Sequence, residues 1–466
     1  MYMKAKIFNI IKYFLITILI IISTYLLYKI YKLNILVIKY YIIILLLVLL
    51  LNILFIFKLI RKKTSKISKI IFMILTILIS LLYLYGTIYI DKTIKFVSNM
   101  TEEKYETRKY EIYVLKEKNI KTLGYLNIYE DSKYIKEKQK TRKLKSYEDI
   151  GSLLGAIYNN EIDAVILDKA YVEMLKENDV DFIKEAKKIE EFEVRKINEE
   201  TIKKVDIRKD PFILYISGSD SRGSINLVAR SDVNIAVVIN PKTNKILLVS
   251  IPRDYYVRLN GTTGSKDKLT HAGIYGVEKS MNTVGDLLDQ DINYYLKVGF
   301  QTVVNVVDVV DGIDIYSEQD IKTDANRSCK VKKGINHLDG ECALAFSRER
   351  HSYQTGDRHR GENQQQVITK LVEKLNNPKY LTRYNQILKA MDGSFKTNMT
   401  YEEITNFIKY QLNNLKKWKV ESISLDGTDS MQSTYSMGSR KLYVMIPNEK
   451  TVATAKEKIN AYLGGN

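Results

Sequence analysis

Residues 211–254 read PFILYISGSDSRGSINLVARSDVNIAVVINPKTNKILLVSIPRD, and this stretch decides the fold. Phe212 to Ser217 is an apolar strand ending at Gly218. Val233 to Asn240 is a second strand, closed by the Asn240-Pro241 turn, and Lys245 to Ile251 is a third. Further on, Val277, Met281, Val284, Leu287 and Leu288 fall at helical spacing, as do Phe300, Val303, Val304, Val307 and Val310. Tyr294 to Val298 reads as a strand between them. Helical patterns recur over 361–376, 380–391 and 401–413, and strands return at Val420 to Leu425 and Leu442 to Ile446. Strands alternating with helices predict an α/β fold over 210–466, an α-β-α sandwich with a central mixed sheet.

Upstream, residues 109–205 read as a small α/β domain. Tyr110 to Lys116 alternates as a strand does, Glu148 to Asn159 is helical, Asp163 to Leu167 is a short buried strand, and a helix follows over Lys169 to Lys176. The charged run Lys184 to Lys204 reads as a solvated face, and no residue cluster in this domain suggests catalysis. Residues 92–108 are polar and of mixed charge and read as a linker. Residues 1–91 hold three apolar runs, about 7–28, 40–57 and 70–90, each near the length a membrane-crossing helix requires. The first is long enough only if it starts near Ile7, with Lys12 snorkelling to the interface. No small-residue cleavage site follows it, which argues against a removable signal peptide.

The formal charge of +18 looks at first like a nucleic-acid footprint. Thirteen Lys and one Arg against Asp91 alone put +13 of it in residues 1–100, so no nucleic-acid partner is expected. Lys58, Arg61, Lys62, Lys63, Lys66 and Lys69 crowd the second connection between apolar runs, which predicts a cytoplasmic loop. The N-terminus is then cytoplasmic, the protein is multi-pass, and everything after about Asp91 is extracytoplasmic. Cys329 and Cys342 are thirteen residues apart, and either a disulfide or two unpaired thiols fits that setting.

The loops after the strands of the 210–466 domain carry the chemistry. They read GSDSRG at 218–223, ARSD at 229–232, IPRD at 251–254, KDKLTH at 266–271, FSRER at 346–350 and GDRHR at 356–360, followed by Gln364, Gln365 and Gln366. Arginine presents a planar, permanently charged fork that matches phosphate oxygens, so several converging arginines suit a pyrophosphate. Asp220 and Asp232 are hard oxygen donors suited to Mg²⁺. Each residue alone has a plainer reading, a surface ion pair for an arginine, a turn for Asp220, a packed histidine for His271. Their recurrence across the loops of one α/β domain is what a solubilising role does not explain.

From about Pro211 to Lys374, these segments in this order resemble the LytR-CpsA-Psr family of bacterial cell-wall ligases. The resemblance rests on GSDSRG, RSD before a strand ending in NP, SIPRDYYV, KDKLTHA, the L-D-G-x-x-A-L segment at 338–344, SRERH and GDRHRGENQQQ. It implies a transferase that moves an undecaprenyl-pyrophosphate-linked glycopolymer, of teichoic acid or capsular polysaccharide type, to a peptidoglycan muramic acid through a phosphodiester, releasing undecaprenyl phosphate. Arg253, Arg348, Arg350 and Arg360 match its pyrophosphate-binding arginines. Asp357 matches an acid beside the phosphates, Gln364 a polar pocket residue, and Lys268 a further phosphate contact. Asp220 and Asp232 match acids that hold Mg²⁺ or Mn²⁺. The general base is left open among Asp220, Asp232 and Asp357. Val233, Tyr255, Thr270 and Asn363 depart from the family's commoner residues. The valine-rich 300–310 segment suits either an apolar channel for the lipid or the core.

Other functions fit the same pocket, a polyprenyl-pyrophosphate hydrolase with water as acceptor or a non-catalytic polyprenyl-phosphate-binding module. A transcription regulator does not fit, because no cytoplasmic segment has the length of a DNA-binding domain.

Overall fold

The computed structural model describes the chain except residues 1, 103–104, 117–118, 128–131, 198–204, 220–223, 324–328, 354–356, 376, 415–417 and 465–466, and a few further side chains, Asp357 and Arg358 among them. The described residues form two compact units, residues 1–99 with 400–416, and residues 100–399 with 417–466.

The first unit is built on three helices long and apolar enough to cross a membrane, Tyr2–Leu33, Ile38–Ile60 and Lys66–Glu102. Leu19, Leu26, Val48 and Tyr83 form their shared interior. Asn52 Nδ2 donates to Ser23 Oγ at 2.8 Å, and Lys29 pairs with Asp91 at 2.5 Å. The third helix runs through most of the segment read as a linker. Thr87 to Glu102 contains no Gly or Pro, so nothing in the backbone stops it, and polarity alone does not break a helix. By its contacts the helix Tyr401–Asn414 groups with this unit. Its Tyr401 hydroxyl donates to the Leu33 carbonyl at 2.8 Å and its Lys409 ammonium to Asn34 Oδ1 at 2.5 Å. Helical periodicity announces a face to be buried and not what buries it.

Among the described residues the second unit holds two large sheets and four two-stranded ones. The six-stranded sheet runs in the order Phe395–Thr397, Tyr294–Gly299, Phe212–Ser219, Ser231–Asn240, Lys245–Ile251, Lys419–Ser424. It is mixed. Phe212–Ser219 runs parallel to Tyr294–Gly299 and antiparallel to Ser231–Asn240, and Lys245–Ile251 is parallel to Lys419–Ser424. Ile213, Tyr215, Ala236, Val238, Leu247 and Val249 pack under the helices Val277–Leu288 and Glu449–Leu463. On the other side the helix Phe300–Val309 buries Val304, Val306 and Val307, and the following Val310 is buried too. The valine stripe is core. Gly218 sits where the first strand bulges, and a Cβ there would lie 2.6 Å from Val233 Cβ, so only glycine lets the strands approach.

The five-stranded sheet of the smaller domain has the order Lys143–Tyr147, Thr122–Leu126, Ala164–Asp168, Tyr105–Val114, Lys187–Ile197. Its last strand occupies the charged run, where Phe192 and Val194 pack inward while neighbouring Glu and Lys side chains face out. The two domains are joined through main chain. Thr107 N donates to the Asn226 carbonyl at 2.8 Å, and Val228 N to the Thr107 carbonyl at 3.0 Å.

Candidate functional site

Two adjoining cavities open at the ends of the sheet strands, of about 470 Å³ and about 270 Å³. Arg253, Arg348, Arg350, Arg360, Gln364 and Asp232 all border the smaller one, and Lys268 borders the larger. Arg230, Arg253 and Arg350 border both. Asp220 and the Asp357 side chain lie outside the described residues.

Asp232 begins the second strand of the large sheet and organises the floor. Its Oδ1 accepts from Arg253 Nη1 at 2.8 Å and from the Thr270 hydroxyl at 3.1 Å. Burial pushes this carboxyl up, and the charges of Arg253, Arg230 and Arg360, with the Arg253 hydrogen bond, more than reverse it, so it sits well below the usual carboxylate range. Arg253 follows the Pro252 turn, and its carbonyl accepts from Thr270 N at 2.8 Å. The two loops lie close because Gly273 lets the 268–273 segment onto the backbone of Ala229 to Ser231, where a Cβ would come within 2.6 Å of the Ala229 carbonyl oxygen and Ser231 nitrogen. Lys268 pairs with the buried Asp254 at 3.0 Å. His271 is buried, its Nδ1 2.7 Å from Asp267 Oδ1 and 2.9 Å from Ser436 Oγ, the packed histidine of the plainer reading, although it also edges the larger cavity.

The opposite wall comes from the helices Gly340–Arg348 and Asp357–Leu375. Asp339 caps the first by accepting from Cys342 N at 2.8 Å, and Gly340 N donates to Asp308 Oδ1 at 2.7 Å. Arg348 ends that helix with its guanidinium 5.6 Å from the Phe300 ring centre. Glu349 Oε1 accepts from Ser352 N at 3.0 Å and braces the turn that presents Arg350. Asn363 donates to the Phe346 carbonyl at 3.2 Å and ties the two helices together, so the departure at that position carries a packing contact. Cys329 and Cys342 form a disulfide, with Cα atoms 5.4 Å apart.

Sequence reasoning missed three residues here. Arg230 and Asp254 stood in quoted motifs, next to residues that were singled out. Glu177 lies in the smaller domain, where no chemistry was expected, and its carboxylate pairs with Arg230 and sits 3.6 Å from Arg253 Nη2. Among the described residues, six cationic side chains (Arg230, Arg253, Lys268, Arg348, Arg350, Arg360) face three carboxylates (Glu177, Asp232, Asp254) around these cavities. That surplus suits a ligand with more than one negative charge, and forks from several directions suit phosphate oxygens.

A family model described as the LytR_cpsA_psr family matches residues 179–459, more than half of the chain. The chain belongs to the LytR-CpsA-Psr family. Membership makes it a transferase. It is 35% identical over 221 residues to the polyisoprenyl-teichoic acid–peptidoglycan teichoic acid transferase TagU of Bacillus cereus (strain ATCC 14579), covering 47% of this chain and 71% of that one. The protein of the same name from Bacillus subtilis (strain 168) is 34% identical over 198 residues, covering 42% and 63%. Among solved structures of the LytR-CpsA-Psr family, B. subtilis TagV overlaps with a TM-score of 0.45 at 27% identity, over 55% of this chain and 99% of that one.

No group of three or more acids, histidines or cysteines suited to a metal occurs among the described residues. Asp232 supplies one hard oxygen donor set, with Oδ1 already engaged by Arg253 and Thr270. That suits a cation held by one or two carboxylates and substrate phosphates, not a cation caged by protein alone.

Proposed function

We propose that this protein is a membrane-anchored transferase that takes a glycopolymer of teichoic acid type from a polyprenyl-pyrophosphate carrier and joins it to peptidoglycan through a phosphodiester. The observation that carries the reading is the convergence of Arg230, Arg253, Arg348, Arg350 and Arg360 on one pocket, in a chain whose relatives are named as teichoic acid transferases. The muramic acid 6-hydroxyl attacks the phosphorus bonded to the sugar. The new P–O bond forms as the bond to the bridging oxygen breaks, and polyprenyl phosphate leaves with the electron pair. Such transfers are governed by positioning and charge neutralisation, which is what arginines on two walls of a cavity provide. Asp232 is a poor base, because the arginines around it hold its carboxyl well below the usual carboxylate range and so weaken its hold on a proton. Asp220 and Asp357 are the acids left for that role. Asp220 and Asp232 would also hold Mg²⁺ or Mn²⁺, which supplies further neutralisation of the phosphates.

The three apolar helices anchor the protein. The basic connection between the second and third is cytoplasmic in our reading, and the pocket-bearing unit is extracytoplasmic, where carrier lipid and peptidoglycan meet. The test is incubation of the full chain in lipid with Mg²⁺, a polyprenyl-pyrophosphate oligosaccharide and peptidoglycan oligomers, followed by mass spectrometry. A phosphodiester conjugate that vanishes with Arg253→Ala supports the reading. Release of the oligosaccharide phosphate without an acceptor would make the protein a hydrolase, and tight lipid binding without turnover a binding module.

A further inference from the structure

Glu177 is out of place for a solvated-face residue. It ends the helix Lys169–Glu177, whose Ala170, Tyr171, Val172, Met174 and Leu175 are buried. The helix is fixed at both ends. Asp168 caps it by accepting from Ala170 N at 2.8 Å and is itself held by Arg108 Nη1 at 3.2 Å. At the other end Asn178 donates to the Met174 carbonyl at 2.8 Å, and its own carbonyl receives a hydrogen bond from Arg440. The helix tip thus points its last side chain into the pocket, onto Arg230 and Arg253. The three carboxylates there differ in one respect. Asp232 and Asp254 are 8% and 1% exposed and held in the floor, whereas the Glu177 side chain is 41% exposed and can swing away. The family model begins at residue 179, so this carboxylate lies outside the matched segment.

We infer that Glu177 is a displaceable counter-ion for the phosphate subsite formed by Arg230 and Arg253. It occupies the subsite when the pocket is empty, the donor's pyrophosphate must push it aside, and its return helps expel the polyprenyl phosphate left after transfer. The smaller domain thereby sets how tightly the pocket holds its anionic ligands. This rests on the reading of the pocket as a pyrophosphate site. The physical ground is competition. A carboxylate tethered beside two guanidiniums is present at high effective concentration, and any ligand phosphate binds more weakly by the factor needed to displace it.

The test compares wild type, Glu177→Gln and Glu177→Asp as full chains in nanodiscs, with geranylgeranyl pyrophosphate and with inorganic pyrophosphate as probes. Glu177→Gln is expected to bind both about 10-fold tighter at low salt and to show a steeper loss of affinity as salt rises, while Glu177→Asp falls back toward wild type. In the transfer assay KM falls with the tighter binding and kcat falls or stays level as product release slows. Equal affinity of wild type and Glu177→Gln overturns the inference, as does a gain confined to the lipid probe. Lost kcat with unchanged affinity makes Glu177 a base instead. Absence of binding to either probe by wild type and variant alike overturns the pyrophosphate reading of the pocket itself.

Discussion

Two clusters of buried charge lie in the same compact unit and meet different ends. One is the seam between the domains, made of Glu106, Arg108, Asp168, Lys297 and Lys396, all buried. There Arg108 donates to Asp168 and to the Ile274 carbonyl, Lys297 to the Leu227 carbonyl at 2.6 Å, Lys396 to the Tyr105 carbonyl, and Glu106 accepts from Val277 N at 3.1 Å. Most partners are main chain of the facing domain, so the charges fasten one backbone to another. The other cluster is the pocket, where, among the described residues, guanidiniums border open volume and outnumber the carboxylates beside them. Burial of charge alone therefore does not mark a functional site. Charge that main chain answers is structural, whereas a net surplus of charge facing a cavity suits an anionic ligand.

The largest test of that distinction is Arg253→Ala. It is expected to lower the transfer rate by about 10² to 10³-fold, in line with removal of one preorganised charge donor from a reacting centre. Arg253→Lys should recover only part, because an ammonium does not reproduce the fork. A rate within a factor of a few of wild type would remove Arg253 from the site. Next is Glu106→Gln on the seam, which takes away the counter-charge of buried Lys297. A loss of about 3 kcal/mol in unfolding free energy is expected, with affinity of the folded protein for pyrophosphate unchanged. An altered affinity would mean that seam and pocket are one electrostatic system.

How far the sequence reaches differs between the same two clusters. Strands such as Phe212–Ser219 and Lys245–Ile251 are legible because apolar runs are closed by glycine, proline and charged turns. The pocket arginines are legible because they repeat on the loops of that sheet. Glu177 is not, since a glutamate ending an amphipathic helix looks like any solvated-face residue until the fold brings Arg230 to it. The seam is equally silent. Lys297 and Lys396 sit in short strands as ordinary lysines, and only the pairing of Tyr294–Gly299 with Phe395–Thr397 buries both. Contacts distant in sequence leave no local pattern, and nothing in the Tyr401–Asn414 stretch announces its hydrogen bonds to Leu33 and Asn34.

The seam also predicts a pH dependence. Burial lowers the Lys297 ammonium to about 8, against about 10.4 in an unfolded chain. The unfolded state then binds more protons between those values, so stability rises with pH across that window. The burial penalty is fully present below about pH 8 and is relieved toward about 10.4. Between pH 7 and 9 the relief amounts to about 1 kcal/mol. Unfolding free energies of wild type and Lys297→Met, measured in parallel, should shift relative to each other by that amount in favour of wild type. A constant difference would show that Lys297 keeps an ordinary lysine pKa in the folded protein and stays charged in both states across that range.

The smallest effect belongs to Thr270→Val, and it separates the floor of the pocket from its ligand contacts. The Thr270 hydroxyl donates to the same Asp232 oxygen that holds Arg253, so it acts on the arginine only through the carboxylate. Its removal leaves Asp232 with the charged partner that matters most. A cost of about 1 kcal/mol in stability is therefore expected, with pyrophosphate affinity within about threefold of wild type. Loss of affinity as deep as that of Arg253→Ala would place Thr270 against the ligand itself. The pocket's floor would then be part of its binding surface, and the line drawn here between charges that fasten and charges that bind would have to run through Asp232.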